Sequence, residues 1–249
     1  MPDKPSRRFD VILFDLGNTL MYSDCNWEEV IPEMDAAFLR SLKANGVNLD
    51  GQDIRRQMEA RFAEFEAQKA GEFLEFNTAF ILRSFLDDMG HAEVSDTVLR
   101  KAIRDMYTVS QPHWQLETDA LPTLQSLREG GYHLGLISNA GDDQDVQALI
   151  DKVGIRSYFD IILTSAAQGI RKPNPRIFHQ ALQHWGAKPG RAAMVGDTLG
   201  ADILGAKNAG IYNVWITRRA SPKQPHQDTI VPDATVGTLS ELPALFSLV

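Results

Sequence analysis

Four short segments, far apart in a chain of 249 residues, end apolar runs with side chains suited to phosphoryl transfer. They are Asp15-Leu16-Gly17-Asn18-Thr19, Ser138-Asn139, Lys172-Pro173, and Gly196-Asp197 followed by Asp202. A carboxylate such as Asp15 at a strand end can attack phosphorus and hold a cation, so that hydrolysis divides into formation and breakdown of a phosphoaspartyl enzyme. The hydroxyls of Thr19 and Ser138 and the amides of Asn18 and Asn139 suit hydrogen bonds to phosphoryl oxygens. Lys172 offsets the repulsion between an anionic nucleophile and an anionic phosphate. Asp197 and Asp15 make an oxygen pair fitted to Mg²⁺, and Asp202 is expected one helical turn on, as a second ligand or orienting a bound water. Taken singly, Ser138-Asn139 reads as a helix cap, Lys172 as a loop lysine, Asp202 as a first-turn carboxylate and Thr19 as a turn hydroxyl. Their fixed order, each after an apolar run, favours one shared site.

Positioning such residues needs strands that end side by side. Apolar runs at 9–14, 133–137, 159–163, 192–195 and 211–216 read as strands, with a short sixth at 234–236. Helical patterns at 119–128, 142–153, 175–185 and 199–209 separate most of them, and each is followed by glycine. Strands alternating with such helices predict an α/β fold, a doubly wound parallel sheet of Rossmann-like type. Ligands of these sheets bind beyond the carboxyl ends of the strands, where all four segments fall.

Residues 23–112 break the alternation. Trp27, Val30, Ile31, Met34, Phe38 and Leu42 form an apolar stripe at helical spacing. Further stripes are Met58, Phe62 and Phe65; Phe73, Phe76 and Phe80; and Val94, Val98, Ala102, Ile103 and Met106. These predict an inserted all-helical module with the stripes as its interior. The expected division is a core of 1–22 and 113–249 with a helical insertion at 23–112. The polar stretch 218–232 reads as a surface loop.

Composition is 43% hydrophobic and 23% charged, ordinary for a globular chain, and the formal net charge of -8 argues against a nucleic-acid partner. No segment approaches the ~18 apolar residues of a membrane span, and the basic opening at 1–8 leads into too short an apolar run for a secretory leader. The single cysteine, Cys25, excludes an internal disulfide and points to a reducing, cytoplasmic setting. Neither GxxxxGK[ST] nor GxGxxG occurs. His179 and His184 are five apart on an expected helix and do not share a face, which disfavours zinc. Monomer and homodimer are both compatible with the sequence.

The four segments together resemble the motifs of the haloacid dehalogenase superfamily. Phe14 to Leu20 is similar to the first motif, Leu136 to Asn139 to the second, Arg171-Lys172-Pro173 to the third, and Val195 to Asp202 to the fourth. The resemblance spans the chain, and the insertion matches the helical cap that many members carry after the first motif. It implies that Asp15 is the nucleophile, that Asp15, Asp197, Asp202 and the Gly17 carbonyl serve Mg²⁺, and that the cap closes over a small phosphorylated substrate.

One position departs from the family's phosphatases, which usually have a second Asp two residues after the nucleophile to protonate the leaving group and activate water. Here that residue is Gly17. The neighbouring Asn18 cannot replace it, because an amide neither donates nor accepts a proton readily near neutral pH. General acid–base catalysis typically contributes ~10²- to 10⁴-fold, so a Mg²⁺-dependent phosphatase lacking it should be slow or selective for good leaving groups. Tyr22, Asp24 and His113 are candidate substitutes, none singled out by spacing. The alternatives are a 2-haloacid dehalogenase, whose pattern also lacks the second Asp but tends to an aromatic residue there and forgoes the metal carboxylates, and a phospholigand-binding protein with little turnover.

Overall fold

The computed structural model describes residues 7–49, 53–225 and 228–248. Residues 1–6 of the basic opening, and His226 and Gln227 of the expected surface loop, lie outside the described residues. β1 (Val11–Phe14) is buried along its length, as a central parallel strand covered on both faces must be. Ile12 and Phe14 join one core while Val11 and Leu13 join the other, the period-2 alternation of a strand.

The chain continues through β2 (Met21–Ser23), α1 (Trp27–Ala44), α2 (Ile54–Glu72), α3 (Thr78–Asp88), α4 (Asp96–Ser110) and β3 (Trp114–Leu116). It then alternates: α5 (Ala120–Glu129), β4 (His133–Ser138), α6 (Asp143–Lys152), β5 (Ile161–Thr164), α7 (Ser165–Gln168), α8 (Pro175–Gln183), β6 (Ala192–Gly196), α9 (Leu204–Asn208), β7 (Tyr212–Ile216), β8 (Ala234–Val236) and α10 (Leu242–Leu248). The main sheet has the order β5-β4-β1-β6-β7-β8 and is parallel throughout. Phe14 is level with Leu136 of β4 and Val195 of β6. The residues that follow these three strands therefore meet at one sheet edge, at the switch point where the chain has crossed to either side of β1.

Helices α5, α6 and α10 pack Leu124, Leu127, Val146, Leu149 and Phe246 on one face of the sheet. Helices α8 and α9 pack Ile177, Phe178, Ala181 and Ala206 on the other, which completes the expected α/β sandwich. Element ends lie mostly within two residues of the sequence reading. The clearest difference is at 199–209, where Leu199–Ile203 forms a wider π-helical turn before α9 begins. Among the described residues no helix is long and apolar enough to cross a membrane.

Between β2 and β3, α1 to α4 enclose their own core of Phe38, Leu42, Met58, Leu82, Phe85, Leu86, Leu99, Ile103 and Met106. Two of the expected stripes are only partly interior. Trp27 and Ile31, in the first stripe, are 36% and 46% exposed. Phe73 and Phe80, in the third, are 40% and 53% exposed, and Phe80 stacks on Phe76 at 5.6 Å. The third helix starts at Thr78, because the preceding residues leave the helix to dock on the core: Leu74 bridges Ile170, Glu75 N–H donates to the Gly169 carbonyl, and Arg171 N–H donates to the Phe73 carbonyl. The sequence reading also lacked the β2–β3 pair, in which Met21 faces Leu116 and Ser23 faces Trp114 in antiparallel register. Strands of three residues carry too little periodicity to be seen in sequence.

Candidate active site

Asp15 directly follows β1, and its N–H still bonds the Val195 carbonyl at 2.9 Å, which extends the ladder one residue and fixes the side chain at the sheet edge. Asn18 then takes a positive φ of 56°, turning the chain so that Leu20 and Met21 N–H groups return to the Leu16 carbonyl. Asp15, Gly17, Asn18, Ser138, Asn139, Arg171, Lys172, Asp197 and Asp202 all line one cavity of about 410 Å³.

Lys172 is the centre of the charge arrangement. Its Nζ lies 2.5 Å from Asp15 Oδ1 and 2.6 Å from Asp202 Oδ1, and donates to the Ile137 carbonyl at 2.8 Å. Burial alone would lower its pKa, but Asp15 and Asp202 hold it above the usual lysine range, so the ammonium is charged. Asp202 is 1% exposed, and its other oxygen accepts from Thr198 N–H at 3.0 Å. Gly196 makes this approach possible, because a Cβ there would lie 2.3 Å from the Asp202 carboxyl carbon. Asp197 is held through its backbone carbonyl, which accepts from Trp215 Nε1 at 2.9 Å and Gln224 Nε2 at 2.8 Å.

Three carboxylates face this single ammonium. Asp15, Asp197 and Asp202 each offer an oxygen within 4.8 Å of the others. Burial pushes the Asp15 carboxyl up to about 6 against the pull of Lys172. Burial, with repulsion from Asp15 and Asp202, pushes Asp197 to about 8. A buried all-oxygen cluster with more negative charge than its lysine neutralises fits a hard divalent cation.

The remaining expected residues divide. Ser138, at the end of β4, lines the cavity, and its hydroxyl makes no hydrogen bond to protein among the described residues. Asn139 lines it too, but its amide is engaged: Nδ2 donates to the Lys172 carbonyl at 2.9 Å and Oδ1 accepts from Lys172 N–H at 2.8 Å. The side chain thus clamps the lysine loop, with one of its two Nδ2 hydrogens engaged there. Thr19 corrects the sequence reading more sharply. The turn at Asn18 sends it inward, where it is 1% exposed, outside the cavity lining, with its hydroxyl unpartnered among the described residues. Tyr22, Asp24 and His113 also lie outside the lining, as does Cys25, whose thiol contacts Ser23 Oγ.

Three lining residues with chemistry of their own have no role in the sequence reading. Trp114 of β3 places its indole over Gly17, 3.6 Å from where a Cβ would stand. Arg171, next to Lys172 in the third motif, reaches Glu66 and Glu75 of the insertion at 3.6 and 3.7 Å. Asp145, in the first turn of α6, reads in sequence as one of several acids facing a helix N-terminus. No spacing signal separates it from Asp142 or Asp143.

Known proteins resemble this chain in sequence and in fold. The sequence profile of haloacid dehalogenase-like hydrolases matches residues 9–210. The chain is 38% identical over 125 residues to the glyceraldehyde 3-phosphate phosphatase of Methanopyrus kandleri, covering 50% of this chain and 53% of that protein. It is 33% identical over 162 residues to the phosphoserine phosphatase of Thermus thermophilus, covering 65% and 62%. The matches thus span little more than half the length of these relatives. In fold, it superposes on the crystal structure of a 2-haloacid dehalogenase from Pseudomonas syringae pv. Tomato DC3000 with a TM-score of 0.72, at 24% identity over 96% of this chain and 99% of the other. With its four motifs gathered at one sheet edge and the profile matching most of its length, the chain belongs to the haloacid dehalogenase-like hydrolases.

Proposed function

We propose that the protein is a Mg²⁺-dependent phosphatase that hydrolyses a small phosphorylated metabolite through a phosphoaspartyl intermediate on Asp15. The observation that carries this reading is the contact of Lys172 with both Asp15 and Asp202 beside Asp197, an excess of buried carboxylate that suits a divalent cation and a phosphate together. The names of the Methanopyrus and Thermus relatives support it. Asp15, Asp197 and Asp202 would hold the cation with the Gly17 carbonyl, and it would supply charge neutralisation at the phosphoryl oxygens. Lys172 holds the Asp15 carboxylate in place and adds positive charge beside the incoming phosphate. Ser138 has its hydroxyl free to donate to a phosphoryl oxygen, while Asn139 fixes the lysine loop. The helical insertion, docked at Leu74 and Glu75, would act as the cap over the substrate.

A second reading, 2-haloacid dehalogenation, is favoured by one observation: the Trp114 ring covers Gly17, which puts an aromatic group where dehalogenases tend to carry one. The buried Asp197 and Asp202 favour the phosphatase. Parallel assays decide between them: phosphate release from a panel of phosphomonoesters with Mg²⁺, and halide release from 2-haloacids with EDTA. The phosphatase reading expects the first alone; halide release in EDTA without phosphate release in Mg²⁺ overturns it.

A further inference from the structure

The site as described has a nucleophile but no group to move the proton. At Gly17, where phosphatases of the family usually carry an acid, there is none, and beside it stands Trp114, whose ring atoms would meet a Cβ there at 3.6 and 3.8 Å, ordinary contact distance. An apolar indole there can exclude water, but carries no exchangeable carboxyl proton. The proton must come from another part of the cavity wall.

The titratable side chains lining the cavity are Asp15, Asp145, Arg171, Lys172, Asp197 and Asp202. Lys172 pairs with Asp15 and Asp202, and Asp197 stands beside them with an oxygen within 4.8 Å of the other two carboxylates, so these four make up the nucleophile and charge cluster. Arg171 does not release a proton at working pH. Asp145 is left, and it is separate from the cluster: Oδ1 accepts from Gln111 Nε2 at 2.9 Å, and Oδ2 has no hydrogen-bond donor among the described residues. It stands in the first turn of α6, the helix that follows the Ser138 strand end, and lines the same cavity as Ser138.

We infer that Asp145 is the general acid and general base of this enzyme, taking the part that Gly17 cannot; the inference rests on the phosphatase reading above. In the first step, an Asp15 oxygen bonds to phosphorus and the bond from phosphorus to the leaving oxygen breaks. That oxygen keeps the electron pair and receives the proton of the Asp145 carboxyl. In the second, the Asp145 carboxylate takes a proton from water as the water oxygen bonds to phosphorus, and the Asp15 oxygen departs with its electron pair. Inorganic phosphate and the starting protonation states result.

The surroundings suit both steps. Burial pushes the Asp145 carboxyl up to about 6, the Gln111 hydrogen bond opposes this, and the Asp142 charge adds to it. Such a group populates both forms near neutral pH, as a dual acid and base requires. Asp145 also borders a second hollow of about 100 Å³ shared with Arg104 and Tyr107 of α4 and with Asp142, itself paired to Arg100 at 3.0 Å. On the third side, the Gln111 carbonyl accepts from Lys152 Nζ, which ties the residue holding Asp145 to the far end of α6.

Rapid-quench kinetics on wild type, Asp145→Asn and Gln111→Leu test this, with Mg²⁺ and two probes: p-nitrophenyl phosphate, and β-glycerophosphate, whose leaving group needs a proton. Wild-type turnover of p-nitrophenyl phosphate that is lost in Asp15→Asn secures the underlying reading; a wild type inactive on both probes overturns that reading and the inference with it. Given an active wild type, Asp145→Asn is expected to keep a stoichiometric p-nitrophenol burst and to slow its later turnover by ~10²- to 10⁴-fold. With β-glycerophosphate the burst itself is lost. Two ionisations, of Asp145 and of Asp15, are expected to shape the wild-type rate profile; Gln111→Leu is expected to move the first upward, and Asp145→Asn to remove it while leaving the second. Asp145→Asn rates near wild type on both probes, or an equal loss of burst and turnover on both, overturn the assignment. Should Asp145→Asn fail to fold, an unshifted profile in Gln111→Leu overturns it independently.

Discussion

The Lys172 ammonium lies 2.6 Å from Asp202 Oδ1, with both side chains 1% exposed, and the same nitrogen contacts Asp15. One buried cation thus organises two carboxylates from opposite ends of the sequence. Removing one partner of such a buried arrangement leaves the other charges uncompensated, typically about 3 to 5 kcal/mol. Lys172→Met is therefore expected to lose turnover and to lower unfolding free energy in EDTA by about that amount. Urea denaturation with and without Mg²⁺ checks this, and an unchanged midpoint in EDTA would contradict the role given to Lys172.

Gly196 matters for the same contact. A methyl group there would stand 2.3 Å from the Asp202 carboxyl carbon, and both Gly196, in the buried β6, and Asp202, 1% exposed, have little room to shift. Gly196→Ala should force Asp202 from Lys172 and destabilise the protein by about 1 to 3 kcal/mol, the usual range for overpacking. Thermal unfolding and Mg²⁺ titration read the two effects; a variant with wild-type stability and metal affinity would show that Asp202 need not sit where it does.

The acidic cluster predicts how stability depends on pH. Asp15 at about 6 and Asp197 at about 8 are raised from 3.8, so over that interval the folded protein binds more protons than the unfolded chain. Stability in EDTA should therefore fall as pH rises through this window, and Asp145 and Asp35, both raised to about 6, act in the same direction. Asp10, Asp119 and Asp160 are lowered and titrate below the window, while Lys172 stays charged across it. Asp197→Asn should flatten the slope, and Mg²⁺ should raise the melting temperature more at about pH 8 than at about pH 5, since the added charge is felt most when the carboxylates are ionised. Equal Mg²⁺ stabilisation at both pH values would contradict a cation held by these residues.

Restoring the usual residue tests what Trp114 does. The indole stands at contact distance, 3.6 Å, from a Cβ at Gly17, so a carboxylate there must share the cavity with the ring, and Gly17→Asp alone is expected to add less than the ~10²-fold or more that a freely positioned acid supplies with an alkyl phosphate. Gly17→Asp combined with Trp114→Ala should gain more than the sum of the single changes. A large gain from Gly17→Asp by itself would mean that Trp114 does not block the position.

Much of this was legible in the sequence because its signals are local. Val11 to Phe14 is an apolar run followed by a carboxylate, and the same pattern recurs before Ser138 and Asp197, so the strands and the edge they share follow from alternation and order. The roles that went astray depend on where a side chain turns. Nothing in the Thr19 hydroxyl indicates that the left-handed Asn18 sends it inward, or in the Asn139 amide that the Lys172 peptide groups occupy it. Phe73 and Phe80 fell at helical spacing, yet the segment before Thr78 is recruited by the backbone of Gly169 and Arg171, a tertiary contact without a local trace. Asp145 and Trp114 are brought to the cavity by the α6 and β3 geometry, 130 and 99 positions after Asp15 and outside all four motifs.

The most direct test of the central claim is to locate the covalent intermediate. Enzyme quenched in acid during Mg²⁺-dependent turnover of p-nitrophenyl phosphate should carry a phosphoryl group on Asp15 when its peptides are mapped by mass spectrometry, and Asp15→Asn should carry none and turn over no substrate. Sustained phosphate release by folded Asp15→Asn, or a label on a different residue of the wild type, would contradict it.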